Sequence, residues 1–169
     1  MKEPFPKDTY VVYGKMGVCR VEDRRMMSFG ADAQEYYVLC PQSDPHSSVY
    51  VPCRNEQLIA RLQTLLTKEE IDSLLSEQNV DWIEDKNARA SYFRGVLNQG
   101  DRRRMLQLIR SLYARKREKI AEGKKLAAAD EATLQECVRQ VEEEFSLVLH
   151  IPRHQVGEYI RRQAGADEE

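Results

Sequence analysis

The sequence predicts an α+β protein of two domains, with a small bent β-barrel in residues 1–60 and an all-α domain in residues 61–169. Short β-branched and aromatic runs separated by turn residues fill about the first fifty positions, a density that suits a small barrel of about four or five strands. Hydrophobic periodicity then changes once, near residues 53–67, from alternation to a helical repeat. Beyond that point capping residues recur at helix spacing and delimit about four to five helices. A block of strands followed by a block of helices implies two compact units rather than one interleaved sheet.

Thr9–Gly14 is β-branched and aromatic, and Gly14 and Gly17 bracket a tight turn into the alternating run Val18–Glu22. Residues 30–32 form another turn, followed by the strand Glu35–Cys40, a loop from Pro41 to Pro45, and the strand Ser48–Pro52. Thr67-Lys-Glu-Glu70 is a capping box that opens a short helix through Ile71, Leu74 and Leu75. Asp81-Trp-Ile-Glu84 repeats the device and predicts a helix to about Leu97, closed by Asn98-Gln-Gly100. Asp101 caps the next helix, in which Met105, Leu108, Ile109 and Leu112 share one face, and Gly123 ends it. Asp130 is expected to cap a fourth helix carrying Leu134, Cys137, Val141 and Phe145, which Pro152 ends or kinks. A last helix holds Val156, Tyr159 and Ile160, and the polar tail 164–169 reads as a frayed end.

Charge is strongly segregated beneath a total of −2. Residues 82–125 hold thirteen Lys/Arg against five Asp/Glu, whereas both flanking segments are acidic. A basic block inside an acidic protein is the footprint of a polyanion site, because neutralising phosphates releases condensed counterions. At 100° per residue Arg103, Arg110 and Arg117 form one ridge, with no acidic i+4 partner to neutralise it. Such a row can track a phosphate backbone. Trp82, Lys86 and Arg89 form a stripe with Phe93, placing the only tryptophan beside two cations. That stripe reads either as a domain edge over which the cations snorkel or as an apolar wedge beside phosphate-pairing groups.

Other classes find little support. The four cysteines lie far apart without a C-x-x-C pair, which predicts small buried hydrophobes rather than a zinc site or disulfides. His150 and His154 are four apart, but Pro152 between them spoils a helical metal pair. No nucleophile triad or phosphate loop is present, so an enzyme is not expected, and neither is a cofactor or a small-molecule substrate. The N-terminal residues contain no apolar segment and no run is long enough to span a bilayer, which predicts a cytoplasmic protein without membrane contact.

Phe5-Pro-Lys-Asp-Thr-Tyr-Val-Val-Tyr-Gly-Lys-Met-Gly-Val-Cys-Arg-Val21 resembles the opening motif of the CarD/CdnL family of bacterial transcription regulators, F-x-x-G-D-x-V-V-Y-x-x-x-G. Glu35–Leu39 and Val49–Pro52 resemble later strands of that family. The tryptophan, the Gly100-Asp101 pair and the basic helix after it resemble its C-terminal half. The opening motif is also shared with the transcription-repair coupling factor, a large ATPase whose helicase motifs are missing here. The resemblance implies a Tudor-like β domain docked on the β subunit of RNA polymerase. It further implies a helical domain on promoter DNA, where Trp82 would wedge at the edge of the melted region and stabilise the open complex. Lys7 departs from the motif's glycine, and Trp82 lies about one helical turn further from Gly100-Asp101 than in well-known relatives. Met27 and Tyr50 stand where those relatives carry polymerase-pairing arginines, so they are the expected polymerase contacts here, on an edge strand open to pairing. The competing reading is a protein–protein adaptor whose basic helix binds an acidic partner.

Overall fold

The computed structural model describes residues 5–30, 32–77 and 81–165. Two compact units divide between Leu65 and Leu66. In the first, strands β1 (Tyr10–Tyr13), β2 (Val18–Met27), β3 (Gln34–Pro41), β4 (Val49–Pro52) and β5 (Leu62–Thr64) form one sheet in the order β4-β3-β2-β1-β5. Every described pairing is antiparallel. A 3-10 turn, Gly14–Met16, joins β1 to β2, and Gly17 closes it at φ 78°, a left-handed conformation that costs glycine little. The register of β2 against β3 shifts between Val21 and Asp23, a bulge that adds twist. Alternation then sorts the side chains: Val11, Cys19, Val21, Tyr37, Leu39, Val51 and Leu62 pack into one core.

Two expectations change here. The sheet is open, with β4 and β5 as its two edges, instead of closing into a barrel. The chain also does not turn helical for good after Arg54. A single turn, α1 (Glu56–Ile59), is capped by Asn55 accepting from the Leu58 N–H, and the chain then returns as β5 beside β1. Leu62 is fully buried there, so the compact unit runs five residues beyond the expected boundary at 60. Lys7, by contrast, needs no glycine: the positive φ of this turn falls on Asp8, at 68°. Asp8 donates its N–H to Val21 O, and its carboxylate accepts from Arg20 at 2.9 Å.

The second unit is helical: α2 (Lys68–Ser76), α3 (Lys86–Gln99), α4 (Arg102–Ala121), α5 (Ala128–Leu149) and α6 (Arg153–Gln163). The expected capping box closes α2, with Glu70 N–H on Thr67 Oγ1 and Thr67 N–H on Glu70, both at 3.1 Å. Asp101 caps α4, and Gly100, in the left-handed region at φ 69°, ends α3. Two caps differ from expectation. α3 starts one turn later than Asp81, because Asp85 is the residue whose carboxylate accepts the Ala88 N–H. α5 starts at Ala128 with no side-chain cap, and Asp130 sits inside its first turn. α5 ends at Leu149, and Pro152 precedes α6 as its N-cap. Of the tail read as frayed, residues 166–169 lie outside the described residues.

Ile71, Leu75, Leu106, Ile109, Leu112, Cys137, Val141, Phe145, Val156 and Ile160 form the centre of the helical core. Arg102 and Glu144 are among the charged groups buried beside it. Glu144 pairs with Arg102 and accepts the Leu66 N–H at 2.8 Å, fixing the first residue of the unit to α5. Burial pushes the Glu144 carboxyl up from its ordinary value, while Arg102 and the Leu66 N–H oppose that rise. Among the described residues no helix is long and apolar enough to cross a membrane.

Candidate functional site

On the β unit the register defines a surface. Val38 lies opposite Tyr50, Tyr36 opposite both Pro52 and Arg25, and Met27 two residues beyond Arg25. Period-two alternation therefore puts Met27, Tyr36 and Tyr50 on one face, away from Tyr37, Leu39 and Val51 in the core. Phe29, just beyond β2, closes over this face. Its ring is edge-on to Tyr36 at 5.2 Å and tilted against Tyr50 at 5.3 Å. Phe29 is 56% exposed and Tyr50 39%, whereas Met27 is half-buried. Tyr50 lies on the edge strand β4, which pairs only with β3 among the described residues. The family resemblance singles out Met27 and Tyr50 but not Phe29 and Tyr36, which belong to a turn and to an interior strand.

The helical unit gathers its site around Trp82. The indole precedes α3 instead of riding on it, so the expected stripe Trp82–Lys86–Arg89 does not form. Trp82 is half-buried and packs edge-on against Phe93 at 6.3 Å. The Arg89 guanidinium lies 4.8 Å from its ring centre and that of Arg115 lies 5.4 Å away. Both distances are within cation–π range. Arg89 is nearly enclosed, with its Nε and Nη2 on the two oxygens of Asp130 at 3.1 and 3.2 Å. Its Nη1 donates to the carbonyls of Ile83 and Glu84. Lys86 is exposed on the first turn of α3.

Two clefts of opposite character flank Trp82. One, about 430 Å³, is lined by Glu77, Asp81, Tyr92, Phe93, Gln107 and Ser111 among others and by no lysine or arginine. The other, about 270 Å³, holds Arg89, Arg115, Lys119 and Lys125 against Glu84 and Asp130. Asp130 is already committed to Arg89, so Arg115, Lys119 and Lys125 leave this cleft electropositive. A phosphate entering it would meet two lysines that form no ion pair with the described residues, and an arginine shared with exposed Glu118.

The arginine ridge is differently placed. Arg103 pairs with Glu70 of α2, Arg110 is buried with Glu77 4.0 Å away, and Arg117 donates to Gly165 O at 2.7 Å. Burial lowers the Arg110 guanidinium from its ordinary value, Glu77 opposing and Arg117 adding to the effect. Of the row expected to face a duplex, Arg110 is therefore buried within the helical unit, whereas Arg103 and Arg117 remain exposed beside their partners. Counting only i+4 neighbours overlooks the acids that the fold brings across from α2 and its C-terminal end. The cations of the cleft are legible in part, since Arg115 and Lys119 are i, i+4 on one helix. The pairing of Arg89 with Asp130 spans 41 positions and leaves no local signal.

Among the described residues no group of three His, Cys, Asp or Glu is placed to hold a metal ion. All four cysteines are free thiols, and burial pushes Cys137 up to about 12.

Residues 5–63 match the family model of the CarD-like/TRCF RID domain. The β unit is thus similar to the RNA polymerase-interacting domain of CarD-like proteins and the transcription-repair coupling factor. No curated protein matches the chain.

Proposed function

We propose that this protein is a non-enzymatic transcription regulator that binds bacterial RNA polymerase through its β unit and promoter DNA through its helical unit. The family match of the β unit carries this reading, and the aromatic face at the sheet edge supplies a surface for it. Polymerase adds a strand of its β subunit beside β4, with Phe29, Tyr36 and Tyr50 covering the contact. The helical unit supports the second half. Trp82 stands at the mouth of an electropositive cleft that suits backbone phosphates, while the acidic cleft on its other flank repels them. An apolar side chain held against a strained base step offsets part of the unstacking cost and prolongs the open complex. Tethering both contacts to one chain raises the effective DNA concentration at polymerase, so weak DNA affinity suffices. The protein acts in the cytoplasm, where polymerase and promoter meet.

Co-purification of core polymerase with the full chain tests the docking face. Tyr50→Glu should lose the polymerase while the circular dichroism spectrum stays unchanged. Full retention of polymerase by that variant would exclude this face.

A further inference from the structure

Residues 81–85 lead into α3 without belonging to it, yet they carry the one indole of the chain. Two of their backbone carbonyls are held by a single side chain. Arg89 reaches back from the first turn of α3, and one of its terminal nitrogens holds the carbonyls of Ile83 at 3.0 Å and Glu84 at 3.2 Å. The remaining donors form a two-pronged pair with Asp130, whose side chain is 8% exposed against 11% for Arg89. A two-pronged pair forces guanidinium and carboxylate into one plane. With its donors committed in this way, the Arg89 guanidinium lies over the Trp82 ring, 4.8 Å from its centre. Arg89 thus links Asp130 to the indole. Arg115 adds a second cation at 5.4 Å, but its own partner, Glu118, is exposed and cannot fix its plane as tightly.

We infer that Asp130 is the positioning residue of this site: it orients Arg89, and Arg89 holds Trp82 and its backbone in the pose that meets DNA. The DNA-facing part rests on the function proposed above, whereas the control of Trp82 does not. An alternative duty for Asp130 is purely structural. It sits in the first turn of a helix that lacks a side-chain cap, where a negative charge favours the helix dipole. The two duties separate experimentally, because Trp82 is the only tryptophan and its fluorescence reports on nothing else.

The experiment uses the full chain with Asp130→Asn, and with Glu131→Gln as the control. Glu131 is the neighbouring acid in the same turn and pairs with Lys116 at 3.1 Å. Emission maximum, anisotropy and acrylamide quenching are read well below each melting temperature, beside open-complex lifetime with polymerase. Asp130→Asn should red-shift the emission, lower the anisotropy and raise quenching, and it should shorten the open complex severalfold. Glu131→Gln should leave the Trp82 signals as they are, whatever it does to melting. Arg89→Lys keeps the buried charge but cannot form a two-pronged pair, and it should reproduce the optical change even where Asp130→Asn fails to fold. A Trp82 signal unmoved in both Asp130→Asn and Arg89→Lys, or moved equally by Glu131→Gln, overturns the inference. An altered indole with an unaltered open complex upholds the control of Trp82 and removes its role on DNA.

Discussion

An indole held by two guanidinium groups and a phenyl edge is less free than one on an open helix face, and that sets the cost of removing it. Trp82→Ala deletes apolar area and also strands the stacked face of Arg89. Because Trp82 is half-buried, the loss should be about 1–3 kcal/mol, below the ~3–5 kcal/mol of a fully buried aromatic. Thermal melting checks this figure, and open-complex lifetime should fall further than the melting shift accounts for. Cys137 makes a separate prediction at the same scale. Its thiol is pushed up to about 12 by burial, from an ordinary 9.0. The native state therefore keeps a proton that the unfolded chain gives up, and the stability it contributes is full below about pH 9 and drains away as pH rises toward 12. Tyr113 and Tyr159 are raised as well, chiefly by burial, and add to the same slope. The urea midpoint should decline above pH 9, and Cys137→Ala should flatten part of the decline.

At the scale of elements, local chemistry decides which features can be read in advance. Strands β1 to β4 and the caps at Thr67, Gly100 and Asp101 involve residues within a few positions of each other, so sequence spacing reports them directly. β5 is three residues long and becomes a strand only because β1 offers it a ladder, a non-local cause without a local trace. Likewise Asp81 and Asp85 both precede plausible helix starts, and the choice between them is made by Arg89 holding the Ile83 and Glu84 carbonyls outside the helix. The site follows the same rule. Met27 and Tyr50 are legible from the family resemblance, whereas the pairs Arg103–Glu70 and Arg89–Asp130 require the tertiary fold. β5 also yields a test of where the first unit ends. Leu62→Ala should cost about 2–5 kcal/mol, as deletion of a fully buried leucine does. The destabilisation should appear in hydrogen exchange of β1, its partner strand, and a loss confined to the helical unit would assign residue 62 there instead.

For the whole molecule, the opposing clefts beside Trp82 imply a defined salt dependence. Replacing Arg115, Lys119 and Lys125 together with glutamine should lower the slope of log affinity for duplex DNA against log salt by about 0.9 for each phosphate no longer neutralised. The equivalent replacement of Arg103, Arg110 and Arg117 should change that slope less, because Arg110 is buried and Arg103 is paired with Glu70. A slope untouched by the first set would place the duplex elsewhere on the helical unit.

On the proposed function, a chain that binds polymerase through one unit and a promoter through the other is also a mechanical link. The backbone carries a pull between those partners across Leu65–Leu66, where one unit ends and the other begins. The Leu66 amide is clamped by Glu144, itself locked to Arg102, so the load enters the middle of the helical unit through α5 and α4. The capped start of α2, which follows at once, is spared. A buried ion pair is thus expected to contribute to the strength of the link. Glu144→Gln keeps an acceptor for the amide but weakens the lock, and under force in an optical trap it should unravel from Leu66 at lower tension. Its affinities for polymerase alone and for DNA alone should remain those of the native protein.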